Sequence, residues 1–298
     1  MLWSVPCFTS ILSLLVLLTI PLQAQQASCT FKTFVLNPAN LESPREQTSG
    51  VNDFRTVVGT AAYPFNKPNI TAFTHYADGT VKYWRPSGSQ ISGFSARNNL
   101  GNTVGGYLDS SKIWHALFFH SSTVTQIVHP KAANHSTGLV GINKWNTILG
   151  GYLDSNGTEH MFKRYSNGSF ASIPNFPGAR QTSPAGINDS GVIVGTYNLP
   201  SDGKDISHGF IYHNGRWATL DYRKNITNTE IAGISDAGIV IGNHYGVGFM
   251  YENGVFKDIA GPNGENVTVR GISASGIITG DMWIPSSGSH GFTAKCQS

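Results

Sequence analysis

The chain has 298 residues, with 20 Lys and Arg against 17 Asp and Glu and a charged fraction of only 12%, about half that of an ordinary soluble domain. It carries 34 Gly, 16 Phe, 11 Tyr and 6 Trp, which disfavours a helical bundle and, being rich in aromatics, a disordered chain. The net charge of +3 comes without any run of Lys or Arg, so the concentrated basic face of a nucleic-acid binder is missing.

In chain order, the first feature is the apolar run Ile11 to Ile20, too short for the roughly 20 residues of a spanning helix. Pro21 ends it, and Leu22-Gln23-Ala24 offers small-residue cleavage chemistry. Residues 1–24 therefore read as a secretory signal peptide cut near Ala24, which leaves a mature chain of 25–298. No later segment is apolar for long enough to cross a membrane, so the expected destination is the periplasm or the outside of the cell. Cys7 leaves with the signal. Cys29 and Cys296 remain, and in an oxidising compartment an even pair is expected to form a disulfide. Lipidation of Cys29 is disfavoured, because the apolar run stops at Ile20 and Gln26-Ala27-Ser28 precede the cysteine.

The rest of the chain repeats. The segment Gly186-Ile187-Asn188-Asp189-Ser190-Gly191-Val192-Ile193-Val194-Gly195-Thr196-Tyr197 has relatives starting at Gly50, Ala96, Gly141, Gly233 and Gly271. A second segment, typified by His208-Gly209-Phe210-Ile211-Tyr212-His213-Asn214-Gly215-Arg216-Trp217, follows each of them. Each unit reads as four short strands. Asn-x-x-Gly is a tight turn after the first strand, and Asn-Gly a hairpin between the third and fourth. Four antiparallel strands at a period near 45 residues predict an all-β propeller blade. The expectation is a six-bladed β-propeller in one domain over 25–298, with repeats starting near 50, 96, 141, 186, 233 and 271.

The last unit stops after three strands at Cys296-Gln297-Ser298. Phe31-Lys32-Thr33-Phe34 resembles an unpartnered fourth strand. Aligned on Phe256-Lys257-Asp258-Ile259, it places Cys29 and Cys296 where Gly215 and Asn214 sit in the fourth unit. The N-terminal strand is thus expected to complete the last blade and close the ring, the disulfide standing in for a hairpin turn.

The two recurring segments, the second beginning His208-Gly209-Phe210 and His290-Gly291-Phe292 and varied as His160-Met161-Phe162, His115-Ala116-Leu117, Thr71-Ala72-Phe73 and Val247-Gly248-Phe249, resemble the extracellular HAF-repeat family. The resemblance spans 29 to 296. It implies an exported repeat protein and brings no catalytic residue with it. Kelch and WD40 signatures are absent.

The repeated histidines His115, His160, His208 and His290 invite a metal assignment, but one per blade on an outer strand is too far apart for bonds of about 2 Å to one ion. A packing or inter-blade hydrogen-bonding role is expected, and no metal. The column Asn52, Asn98, Asn143, Asn188, Ser235 and Ser273 caps turns or lines a channel. Asp154-Ser155-Asn156-Gly157-Thr158-Glu159 lacks the frame of a calcium loop and reads as a polar turn. Loops on a rigid scaffold favour binding. Those joining strands two and three, and one blade to the next, nominate Tyr63, Trp114, Arg180, Asp202, Arg223 and Trp283. No nucleophile elbow, HExxH, CxxC or phosphate loop occurs, and no cofactor is implied. The sequence thus points to a monomeric, non-catalytic binding module for an extracellular glycan or protein. A carbohydrate-active hydrolase or lyase on the same scaffold, or a structural envelope protein, is the alternative.

Overall fold

The computed structural model describes residues 25–36, 46–62, 69–202, 206–223 and 228–297. The expected signal peptide and Tyr63 lie outside the described residues. Apart from a single 3-10 turn at Ala133–His135, every described element is a strand. No described helix is long and apolar enough to cross a membrane.

The architecture is all-β and propeller-like, with one correction to the expected blade count. The strands do not form six separate sheets but five. Four of these stand as single blades, each built on one repeat. Two are plain: Thr137–Ile142, Ile148–Leu153, Glu159–Arg164, Phe170–Ile173, and Gln181–Ile187, Ile193–Asn198, His208–His213, Arg216–Thr219. The third adds Gln25–Gln26, parallel to Val255–Ile259, as a fifth strand beside Glu230–Ile234, Val240–His244 and Val247–Glu252. The fourth combines Val267–Ile272, Ile277–Ile284 and Gly288–Cys296 with the N-terminal Cys29–Phe34. The first two repeats are fused into one eight-stranded sheet covering Gln47–Val51 to Thr123–Gln126. The cause of the fusion is a parallel bridge, Ile70 to Ile91, which ties the third strand of one repeat to the first strand of the next. Spacing in the sequence counts repeats; it does not reveal where backbone pairing runs across from one repeat to its neighbour.

The first strands of successive repeats touch in turn, and the last touches the first, so the chain forms a ring. At the seam Cys29 lies opposite Cys296 and the two are disulfide-bonded, 267 residues apart in sequence.

The core lies between neighbouring sheets. Second strands supply fully buried aliphatics such as Val57, Ile148, Ile193 and Val240. Third strands supply Phe73, Phe162, Phe210, Phe249 and Phe292, also fully buried. The glycine of the second strand explains the pairing of the two repeat motifs. A Cβ at Gly150 would meet the Gly138 carbonyl at 2.3 Å and the Phe162 ring at 2.6 Å, and one at Gly195 would meet the Ser183 carbonyl at 2.2 Å and the Phe210 ring at 2.9 Å. Only glycine lets that ring lie on the strand, which is how a glycine-heavy composition comes to carry an aromatic core.

Candidate functional site

All six first strands carry a register shift at the same point, between Thr48 and Gly50, Phe94 and Ala96, Leu139 and Gly141, Pro184 and Gly186, Ile231 and Gly233, and Val269 and Gly271. A β-bulge leaves its extra residue outside the ladder and re-aims its side chain. The extra residues are Ser49, Ser95, Val140, Ala185, Ala232 and Arg270, and all six line an axial channel of about 310 Å³. Five are uncharged and small or medium-sized. The sixth is an arginine.

Arg270 sits where the last repeat meets the first. Its Nε donates to Asp281 Oδ2 at 3.1 Å. With the Gln47 amide oriented to accept, its oxygen takes the other two guanidinium nitrogens at 2.8 and 3.0 Å. Asp281 Oδ1 accepts the Thr48 N–H at 3.0 Å, across the seam. Burial pushes the Asp281 carboxyl above its usual range, against the opposing pull of Thr48 and Arg270. Gln47, Arg270 and Asp281, with Glu46, Thr60, Ile70 and Ser289, line a second cavity of about 510 Å³ that opens beside the channel. Asp281 is itself an exception: the equivalent positions are Thr60, Gly106, Gly151, Thr196 and Asn243.

The loops between strands two and three lie at this same end. In three consecutive repeats an aspartate closes the loop. Asp109 Oδ1 accepts the N–H groups of Ser111 and Ile113, and Asp154 Oδ1 those of Asn156 and Thr158. Their second oxygens lie 2.9 Å from His115 Nε2 and His160 Nε2. His208 stands between Asp202 and Asp221, 2.9 Å from each. Each imidazole stacks on the preceding strand's tyrosine, Tyr107, Tyr152 or Tyr197. The histidine bonds are therefore made within a repeat, not between blades as a ring-stitching role required. Hydrogen bonds to the histidines, chiefly, hold the carboxyls of Asp109, Asp154 and Asp202 below their usual value. Burial pulls His208 down, but its two carboxylate partners outweigh that and leave it raised. No group of three metal-binding side chains occurs among the described residues.

The opposite end of the channel is uniform. Asn143 Oδ1 accepts the N–H groups of Trp145 and Thr147, capping its own turn, while its Nδ2 donates to the Asn188 carbonyl of the next repeat at 3.2 Å. Asn52, Asn98 and Asn188 do the same toward Asn98, Asn143 and Ser235. Ser235 and Ser273 keep the cap through their hydroxyls, which accept from Ile239 and Ile277. The column is thus both a set of caps and a stitch between repeats. The second role was invisible in a single repeat, because its acceptor lies in the next one.

The loop residues nominated from the sequence are not drawn into one cluster: among the described residues no hydrogen bond or ion pair joins any two of Trp114, Arg180, Asp202, Arg223 and Trp283. Trp114 packs over Gly106 and against the core cluster of Val104 and Tyr152. Arg180 is exposed and ties its backbone to the Asn198 carbonyl. Asp202 is engaged by His208. Arg223 lies over the Tyr222 ring, 4.9 Å from its centre. Trp283 does not line the seam cavity; it is 51% exposed, pairs with Ser289, which does line it, and shares a sheet side with Asp281 two residues before it. Arg270, Gln47 and Asp281 were not singled out. The available signal was their departure from the repeat, an arginine and an aspartate at positions that are otherwise uncharged.

No protein-family profile matches the chain, and no curated protein does. Solved structures do match. TolB from Acinetobacter baumannii superposes with a TM-score of 0.53 at 13% identity, covering 82% of this chain and 65% of that one. XC5397 from Xanthomonas campestris, described as a gluconolactonase, gives a TM-score of 0.52 at 9% identity, covering 92% and 97%. A streptogramin B lyase structure gives 0.49 at 12%, covering 90% and 98%. At such identities the likeness shows the fold alone.

Proposed function

We propose that the protein is an exported binding module, cut near Ala24, with repeats of the HAF type, and that its ligand is an extracellular glycan or peptide seated at the loop end of the channel. The observation that supports this reading is the Gln47–Arg270–Asp281 cluster. It places fixed hydrogen-bonding groups between the axial channel and an open cavity, with the exposed Trp283 two residues beyond Asp281 on the same strand. A rigid concave site with a few convergent polar groups beside an aromatic is the usual make-up of a ligand pocket. The test is a glycan and peptide array probed with the mature chain. Hits should be lost by Arg270→Ala and weakened about tenfold by Gln47→Ala, which removes a donor–acceptor worth roughly 1 to 1.5 kcal/mol. Hits that ignore both substitutions place the ligand elsewhere.

One observation favours a second reading, a hydrolase or lyase. Asp281 is a carboxyl raised by burial on the wall of a cavity, the condition of a general acid. XC5397, similar in fold, is described as a gluconolactonase. Turnover of any array hit that is abolished by Asp281→Asn selects this reading over simple binding.

A further inference from the structure

The channel is two-faced and has a blind end. In ring order the bulges bring Ser49, Ser95, Val140, Ala185, Ala232 and Arg270 to its wall. Hydrogen-bonding side chains therefore share one side, on the sixth, first and second repeats. Aliphatic side chains share the other, on the third, fourth and fifth. Among the described residues no hydrogen bond engages the Ser49 or Ser95 hydroxyl, so both are left for an occupant. Two residues further on, toward the stitched end, Val51, Ile142, Ile187, Ile234 and Ile272 form a girdle with Arg97 in the sixth place. The girdle divides the channel of about 310 Å³ from a space of about 60 Å³ beside the asparagine column. The first volume suits a small ligand. The second holds about two waters, at about 30 Å³ each. A chain can enter from the loop end but cannot thread through.

A blind lumen admits the end of a chain, and its wall selects the kind of end. Among the described residues its charged side chains are Arg97 and Arg270. Each guanidinium nitrogen of Arg270 is engaged, one by Asp281 and two by Gln47, and Asp281 balances its charge. Arg97 donates to Thr103, and its Nε is buried. A peptide amino terminus would bring an ammonium against two arginines, and a carboxyl terminus would meet a guanidinium that already has its carboxylate. Burying an unmatched charge is costly. The non-reducing end of a neutral glycan carries no charge and is itself two-faced, with hydroxyls around the ring edge and C–H groups on the ring face. Building on the binding reading above, we propose that the ligand is a neutral glycan held by its non-reducing end. Its terminal ring enters the channel with hydroxyls toward Ser49, Ser95 and Arg270 and a C–H face toward Val140, Ala185 and Ala232.

The probe is an array of neutral oligosaccharides fixed by their reducing ends, each printed intact and trimmed of its terminal residue by an exoglycosidase, beside peptides with free ends. The full mature chain should bind intact glycans, lose them on trimming, and release them to the free monosaccharide of the lost residue. Ala185→Phe with Ala232→Phe fills the lumen and should abolish binding at an unchanged melting temperature. Ser49→Ala and Ser95→Ala only delete hydroxyls, so they test the site even where the filled variant fails to fold. Each should weaken binding several-fold, and Arg97→Met should leave it undiminished. Glycan hits that survive trimming and the serine variants, yet are lost in Arg270→Ala, would overturn end recognition and leave the binding reading standing. So would hits confined to peptides with a free carboxyl terminus that Arg97→Met abolishes. An array without hits of either kind overturns both.

Discussion

The two ends of the axial channel are built from the same repeats by opposite means. At the stitched end one arrangement recurs: a side-chain cap, a turn, and for the asparagines an amide reaching the next carbonyl. At the loop end the repeats diverge. Three carry an Asp–His closure, the seam carries Arg270 with Asp281, and the connections differ in length. A hydrogen bond that must be satisfied in every repeat constrains the residue at that place. A loop that caps itself constrains little beyond its own turn. The ring therefore keeps its shape at one end and has freedom to vary chemistry at the other, as expected where loops are carried on a rigid scaffold.

That contrast makes ordered predictions. The largest effect should come from opening the seam near the stitched end: replacing Cys29 and Cys296 by Ser removes a crosslink across 267 residues, worth about 5 kcal/mol in the chain-entropy model, and urea denaturation of the variant should show it. Next is Asn143→Ala, which strips two caps and one inter-repeat bond and should cost about 2 kcal/mol by the same measurement. If Asn143→Ala proves neutral, the stitch is not what holds the repeats together. At the loop end, Gln47→Ala should change ligand binding about tenfold while moving the denaturation midpoint far less than Asn143→Ala. Asp154→Asn should leave global unfolding nearly unchanged, and hydrogen exchange should quicken at the Asn156 and Thr158 amides it holds.

The smallest effect is a pH dependence. His208 is raised in the folded state, so its contribution is complete below the unfolded value of about 6.5 and is lost as pH rises through the higher folded one. Asp109, Asp154 and Asp202 are lowered; theirs is complete above about 3.9 and is lost as pH falls through the folded values. The melting temperature difference between parent and His208→Gln should therefore be widest between about pH 4 and 6.5 and narrow above it. A difference that grows with pH would mean that the imidazole is not stabilised by its two carboxylates.

Much of the fold was legible because it is written six times. The turn signals and the cysteine register depend on residues within one unit or at its ends, and Cys29 does face Cys296. The number of separate sheets was not legible. It depends on one backbone bridge at Ile70 and Ile91, and main-chain groups are the same at every residue. For the site, aromatic and charged loop residues were a poor guide, since Trp114 and Asp202 are absorbed by packing and by loop closure. Arg270 breaks the pattern of its column, and that departure was the more informative sign.

The seam also fixes an order of events in the life of the chain. The strand Cys29–Phe34 is made long before its partner Gly288–Cys296. At synthesis rates of about 5 to 20 residues per second, the first waits roughly 15 to 50 seconds for the second. During that interval both its edges are unpaired, and so is the last-made end of the growing sheet stack. Helpers that shield exposed strand edges would matter most in that window.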